Sequence, residues 1–362
     1  MKEQAESDAV IEIVTRLFRK VKWKWRNEMF TFVVTCYNQA EVVIHALESI
    51  RYQICRFGKG QKFQLIAADD GSEDQSCQVI EQWIAENEDL FERVDRLFRE
   101  KNAGICRNYV EALRQVAGDR FVVLNGDDLL SPYNLFEVTD LLDEYDMVCN
   151  AFIKFTGSGD MIRSYPVYLE VVLQNFIRGN ILRRSIKLGC AIMAPAVYRK
   201  ELLTEEIFDF ILQFRTVNDR ACFQKIVGGH ENLRVCYMNR PFILYRVSQN
   251  SISNFNSPNR RLHNQEVALL CREERKLEKS FFFRTMLYLQ EKSASFRANQ
   301  NYFVRLLRFF SPYYFIMLWL FIKNYREIAK LEHELIDPSW QYCRDFLLKI
   351  DRRAEKYYLK EV

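Results

Sequence analysis

Two pairs of acidic residues in this sequence are spaced for chemistry. Asp127-Asp128 follows Phe121-Val122-Val123-Leu124-Asn125-Gly126 and precedes Leu129-Leu130-Ser131-Pro132. The four apolar residues, β-branched at their centre, predict a short buried strand, so the acids stand at its C-terminal edge. In open α/β sheets that edge is where ligands bind. Adjacent carboxylates repel, and a half-buried turn makes the repulsion costly. A hard divalent cation, Mg2+ or Mn2+, relieves it and keeps phosphate oxygens as co-ligands. The competing reading is an Asp-rich turn capping a helix over Asn134–Glu144. The second pair ends the predicted strand Phe63–Ala68, within Asp69-Asp70-Gly71-Ser72-Glu73-Asp74. Either Asp69 or Asp70 could accept a hydrogen bond from a nucleobase imide or a ribose hydroxyl, or could only shape the turn.

The elements that must position these acids follow from apolar periodicity. Phe30–Cys36 reads as a first strand, followed by Tyr37-Asn38-Gln39-Ala40 and a helical pattern through Tyr52, with Asn38 as its expected cap. Neither G-x-G-x-x-G nor G-x-x-x-x-G-K-[ST] occurs at this turn, which disfavours a dinucleotide site and a P-loop. Ser72 and Gln75 have capping-box spacing for a helix carrying Val79, Ile80, Trp83 and Ile84. A strand at Val94–Phe98 leads to a turn at Asn102 and Gly104 and a helix from Ile105 to Val116. The N-terminal amides of that helix favour anions. Arg107 in its first turn opposes the helix dipole, so it either pairs with an acidic edge or a nucleotide, or is solvated. A strand at Met147–Phe152 continues the alternation, which predicts a mostly parallel α/β sheet.

The chain has 362 residues, 49% of them apolar, enough for one large α/β domain with an extension or for two domains. A net charge of +4 gives no nucleic-acid signal for the whole chain. The ten cysteines lack C-x-x-C spacing, and several fall inside expected strands or helices (Cys36, Cys149, Cys222), where they act as small hydrophobes. Met1–Asp8 is polar and acidic, unlike a secretory signal, and a reducing cytoplasmic setting is expected. His45, His230, His263 and His333 show no metal-ligand spacing. Residues 10–26 form a basic, aromatic, amphipathic pattern that fits either a membrane-surface helix or a solvated one. Within Tyr302–Ile322 the apolar run from Tyr313 is too short to span a bilayer. Phe303, Leu306, Leu307 and Phe310 share one helical face, as in an interfacial helix, and a buried helical hairpin is the alternative.

Four motifs in order carry a resemblance: Thr35-Cys36-Tyr37-Asn38, Ala68–Asp74, Asn102-Ala103-Gly104 with Arg107-Asn108, and Leu124-Asn125-Gly126-Asp127-Asp128. Over residues 28–255 the sequence resembles the family-2 glycosyltransferases, inverting nucleotide-sugar enzymes of the GT-A fold. The resemblance implies a donor site of Thr35, Tyr37, Asn38, Asp69, Asp70, Asn102, Gly104, Arg107, Asn125, Asp127 and Arg246. It implies a metal at Asp127 and Asp128, where Asn125 replaces a common Asp. It also implies that Asp219 is the general base, with Asn218 in place of the usual Glu; an N-cap or first-turn Asp is the alternative reading. Gly189–Met193 and Val197–Lys200 resemble the acceptor-facing strand and the helix after it. In Leu244–Ser253, Ser248 stands where His is common.

The implied layout is a basic N-terminal helix (1–27), a GT-A domain (28–255, divided near 150 into nucleotide and acceptor halves) and a helical C-terminal extension (256–362). The expected partners are a UDP-sugar and a saccharide or lipid-linked saccharide acceptor, with no nucleic acid. Peripheral contact with the inner face of the cell membrane stays open. Two rival classes are a nucleotidyltransferase on a related sheet, which should carry an early Gly-rich basic loop that Thr35–Gln39 lacks, and a non-catalytic membrane-attached assembly protein.

Overall fold

The structure is a computed structural model that describes residues 29–156, 161–162, 186–188, 196–230, 232–248, 259–299, 301–331 and 337–357. Its first half alternates strand and helix. In order come β1 (Met29–Cys36), α1 (Val43–Phe57), β2 (Lys62–Asp69), α2 (Ser76–Asn87), β3 (Arg93–Phe98), α3 (Ile105–Arg114), β4 (Arg120–Asn125) and β5 (Leu129–Leu130). Then follow β6 (Met147–Thr156), β7 (Met161–Ile162), β8 (Ala196–Arg199), α4 (Glu205–Ile211), α5 (Asn218–Gly229) and β9 (Val235–Val247). The last part is helical: α6 (Arg260–Leu277), α7 (Phe281–Arg297), α8 (Tyr302–Leu306), α9 (Pro312–Lys323), α10 (Tyr325–Leu331) and α11 (Asp337–Ala354).

All the strands join one sheet in the order β3-β2-β1-β4-β8-β6-β9-β5, with β7 on β6. The long ladders, β2–β3, β1–β2, β1–β4 and β6–β9, are parallel. The antiparallel ladders at β4–β8, β8–β6, β5–β9 and β6–β7 are only two or three residues long. The expected mostly parallel α/β sheet is therefore found. Register aligns Cys36 with Asp69 and Thr35 with Asn125, so β1, β2 and β4 end together and their loops share one edge.

β1 and β2 bury almost every residue because helices cover both faces of the sheet. One face packs α1 and α2 through Val43, Leu47, Ile50, Val79 and Trp83. The other packs α3, α4 and α5 through Val110, Leu113, Ile211, Cys222 and Ile226. α11 returns to the sheet and buries Cys343, Phe346, Leu347 and Ile350 against Leu129, Ile153 and Leu244. No disulfide joins the nine cysteines among the described residues, and Cys36, Cys149 and Cys222 are buried, in keeping with their reading as small hydrophobes.

Four local expectations are corrected. Asn134–Glu144 is not an α-helix but two 3-10 turns, Leu135–Val138 and Asp140–Asp143. The Asn134 side chain accepts from Phe136 N, the Thr139 hydroxyl bonds back to Phe136 O, and the Arg120 guanidinium takes Thr139 O, which diverts groups an α-helix would use. Asn38 does not cap α1, which begins at Val43 with no side-chain cap. Ser72 and Gln75 form no capping box, because α2 begins only at Ser76 and the Ser72 hydroxyl is spent on Asp69. Val197–Lys200 starts no α-helix: Ala196–Arg199 is a strand wedged between β4 and β6, and a 3-10 turn, Lys200–Leu202, follows it. Residues 10–26, Gly189–Met193 and the end of the Leu244–Ser253 segment lie outside the described residues.

Candidate active site

The shared edge of β1, β2 and β4 is held by side chains reaching across loops. Asn38 adopts φ 51°, a left-handed conformation that Asn tolerates. Its amide donates to Ser72 Oγ (2.7 Å), and its side-chain oxygen accepts from Glu73 N (2.9 Å). Gln39 N donates to Ser76 Oγ and Ala40 N to Asp74 Oδ2. The loop after β1 is thereby laced to the loop after β2. Asp69 is fully buried and accepts from Ser72 N (2.7 Å) and Ser72 Oγ (2.6 Å). Asp70 spans the next gap, accepting from Ala103 N (2.9 Å) and Gly104 N (2.8 Å).

Asp127 and Asp128 stand at the end of β4. Asp128 is buried; its Oδ1 accepts from Arg246 N (2.9 Å) and its Oδ2 from Asn125 Nδ2 (3.4 Å). Asn125 Oδ1 in turn accepts from Thr35 Oγ1 (3.3 Å). Arg246 Nε donates to Asp127 O (2.9 Å), and its guanidinium lies over the Phe155 ring (4.6 Å). Burial raises the Asp127 carboxyl above the usual carboxylate range, with the Arg246 charge and Gln39 pulling the other way. Asp128 is raised further, by burial first and then by the charge of Asp127. A methyl at Gly126 would meet the end of the Gln39 side chain (Oε1 at 2.5 Å) and crowd Thr35 O at 3.2 Å, so Gln39 would have to shift to admit it. α1 fixes the outgoing chain: Ser49 Oγ accepts from Leu130 N, and Gln53 binds Ser131 O, Tyr133 O and Leu135 N.

The donor set suits a divalent metal. Two adjacent hard carboxylates, destabilised by burial and mutual repulsion, are what a cation relieves. Among the described residues no group of three His, Cys, Asp or Glu side chains is arranged to hold a metal. The remaining coordination positions would thus fall to ligand oxygens and water, the usual case for Mg2+ with phosphates.

Asp219 lies elsewhere, exposed in the first turn of α5, and its Oδ1 accepts from Arg220 N (2.6 Å). Its charge adds to the burial that pushes up the Tyr109 and Tyr198 hydroxyls and takes the Cys222 thiol to about 12. Those two hydroxyls meet at 2.9 Å. The same charge partly offsets the burial that lowers the His263 imidazole. The loop before α5 is clamped by Glu266 of α6. Its carboxylate accepts from Arg215 N (2.7 Å), Thr216 N (2.8 Å) and Thr216 Oγ1 (2.5 Å), while His263 Nδ1 lies 3.3 Å from Thr216 O. Arg215 donates to Asn102 Oδ1 (3.0 Å) and lies across Gly104, whose added Cβ would meet Arg215 Cγ at 2.7 Å. Among the described residues no hydrogen bond or ion pair joins Asp219 to the Asp127-Asp128 pair; Gly104 lies between Asp70 of the β2 loop and Arg215 of the loop before α5.

With this geometry in hand, residues 31–206 match the family model described as "Glycosyl transferase family 2". These residues form a glycosyl transferase family 2 domain. Among curated relatives, the teichoic acid poly(glycerol phosphate) polymerase of Staphylococcus epidermidis is 33% identical over 103 residues, 28% of this chain and 13% of that protein. The uncharacterized glycosyltransferase YfnE of Bacillus subtilis is 29% identical over 141 residues, 38% of this chain and 31% of that protein. The match thus spans less than a third of either relative's length. Among solved structures, S. aureus TarS 1-349 in complex with UDP superposes with TM-score 0.53 at 18% identity, covering 92% of this chain and 94% of that one. The mannosyltransferase PcManGT from Pyrobaculum calidifontis, in complex with GDP-Man and Mn2+, gives TM-score 0.50 at 14% identity, covering 95% and 93%. At these identities the structures show a shared GT-A fold. The family match and the curated relatives support a glycosyltransferase.

The structure gathers Thr35, Asn125, Asp127 and Asp128 of the matched residues with Arg246, which lies beyond them, into one hydrogen-bonded corner, with Asn38, Asp69, Asp70, Asn102 and Gly104 along the same edge. Tyr37 is exposed there. Arg107 is also exposed and lies 3.9 Å from Glu111 one turn on. Gln39, Ser76, Asp74 and Glu266 hold the site and were not singled out by sequence. Ser76 and Asp74 adjoin the second acid pair, which is a signal for them; Glu266 stands 50 residues from Thr216 with no local pattern to mark it.

Proposed function

We propose that the chain is an inverting glycosyltransferase that moves a sugar from a UDP-sugar to a hydroxyl of a saccharide or lipid-linked saccharide during assembly of a cell-surface polymer. The observation carrying this reading is the Asp127-Asp128 pair, raised by burial, and at Asp128 also by the charge of Asp127, at the ligand edge of a family-2 domain. UDP and UDP-GlcNAc in the TarS complexes, and the polymerase relative, favour the UDP donor and the surface polymer. GDP-Man and Mn2+ with PcManGT favour a divalent ion.

In this reading Asp127 and Asp128 hold Mg2+ or Mn2+, which supplies Lewis-acid neutralisation of the departing diphosphate. Asn125 and the Arg246 backbone orient Asp128, and Arg246 adds a fixed positive charge beside the pair. Asp69, Asp70 and the loop at Asn102–Gly104 shape the pocket for base and ribose. Asp219 accepts the proton of the acceptor hydroxyl as general base. A single displacement at the anomeric carbon then inverts configuration. We also propose the layout of a GT-A domain over 28–255 with a helical extension over 256–362, working at the inner membrane surface.

The test is incubation with Mn2+, a panel of UDP- and GDP-sugars and lipid-linked or polyol acceptors, with products read by mass spectrometry. Transfer from a UDP-sugar that is lost in Asp219→Asn, with UDP binding retained, is expected. Full transfer by Asp219→Asn removes that residue as the base, and no transfer or donor hydrolysis with any nucleotide sugar removes the reading altogether.

A further inference from the structure

Helix α9 seats Met317 and Leu320 in the core and turns another side outward. On that side Phe315, Leu318, Trp319 and Ile322 are 59, 56, 52 and 68% exposed. Their spacing, i, i+3, i+4 and i+7, lines them along one stripe. The chain leading into α9 continues the surface with exposed Phe303, Leu306, Leu307 and Phe310. Single exposed hydrophobes are ordinary, but nine large ones among the described residues of 303–322, Phe309 included, mark an interaction site.

Charge indicates what the site meets. From Lys292 to Arg326 the sequence carries six basic residues (Lys292, Arg297, Arg305, Arg308, Lys323, Arg326) and no Asp or Glu. Lys323 Nζ sits over the Trp319 ring at 5.1 Å, on the rim of the stripe, and Arg326 is exposed just past the helix end. An apolar stripe with an aromatic and a cationic rim, free of acids, matches an anionic lipid surface: the stripe enters the acyl boundary while Lys and Arg meet phosphates. Among the described residues no helix is long and apolar enough to cross a membrane, and α9, at roughly 1.5 Å per residue, covers about 18 Å. Such a helix lies along a bilayer.

We propose that the outer face of α8 and α9 is a docking surface for anionic membrane, with Phe315, Leu318, Trp319 and Ile322 as its apolar anchors and Lys323 and Arg326 as its lipid-phosphate contacts. The inference deepens the membrane-surface part of the preceding reading and depends on no transfer chemistry.

The experiment is cosedimentation of the full chain with phosphatidylcholine vesicles, with and without phosphatidylglycerol, in the absence of donor and acceptor. Binding should be at least tenfold tighter with phosphatidylglycerol and should weaken with salt. Trp319→Glu/Ile322→Glu should reduce it at least tenfold. Lys323→Glu/Arg326→Glu, which touches no core residue, should abolish the anionic preference, at roughly fivefold or more per charge. Each variant's sedimentation coefficient and UDP-dependent thermal shift should match the parent's. Equal vesicle binding by parent and both variants overturns the proposal. So does a lipid-free dimer that the Trp319→Glu/Ile322→Glu change dissolves, which would make a second copy of the chain the occupant. A parent that binds vesicles but no nucleotide removes the transferase reading and leaves the docking surface standing.

Discussion

The two acidic corners of the site are built in opposite ways. At the β4 corner a carboxylate is itself buried: Asp128 is enclosed, its oxygens meet Arg246 N and Asn125, and Asp127 repels it from the next position. At the α5 corner Asp219 is exposed, and what is held is the backbone before it, through three bonds to Glu266. The first corner stores electrostatic tension that a bound cation can release. The second fixes the loop and leaves the carboxylate after it in solvent, where the proposed base would meet an acceptor. Under the proposed roles, a group that binds a fixed ligand and one that meets a variable acceptor would thus receive different support.

The largest effect on that contrast should come from Glu266→Ala. It leaves Arg215 N and Thr216 N without their carboxylate and should cost about 1–3 kcal/mol of stability. Transfer should fall with UDP affinity retained, and Glu266→Gln should recover part of the loss; equal loss of UDP binding would mean the corners are not separately supported. Next comes Gly104→Ala, between Asp70 and the loop before α5. Gly104 has φ 95° and ψ 152°, a region nearly closed to other residues, and Arg215 lies across it. We expect about 1–3 kcal/mol in a denaturant melt, with both UDP binding and transfer impaired.

The smallest effect is the dependence on pH. Asp127 and Asp128 are held above the usual carboxylate range, so the folded chain binds their protons more tightly than the unfolded chain. The stability this contributes is present below the ordinary carboxylate pKa of about 4 and is lost as pH rises through the raised values. In chelator, Asp128→Asn should therefore melt above the parent at neutral pH, with the gap closing toward pH of about 4. Mn2+ should stabilise the parent more as pH rises. A gap independent of pH would contradict the tension assigned to the pair.

The two corners also differed in how far sequence could reach them. The strand over Phe121–Leu124 and the acids after it were legible because a buried apolar run and a turn are local signals. The parallel register that brings Cys36, Asp69 and Asn125 to one edge followed from alternating strands and helices. What the polar side chains do there was not local. Asn38 and Ser72 carry helix-cap signatures, yet they bond to each other's loops, because a loop 34 residues away offers partners that a helix end would otherwise supply. Val197–Arg199 reads as a helix start until β4 and β6 claim it from both sides. The clamp at Glu266 depends on α6 folding back over Thr216, and no spacing near either residue reports that contact.

The central claim is that Asp127 and Asp128 grip a metal-bound diphosphate. Calorimetric titration of UDP into the parent and Asp128→Ala, with Mn2+ and with chelator, tests it most directly. The account predicts UDP binding that requires Mn2+ in the parent and falls at least a hundredfold in Asp128→Ala, while the variant melts cooperatively and still binds vesicles. UDP binding of equal strength in chelator, or unchanged in a folded Asp128→Ala, would contradict it.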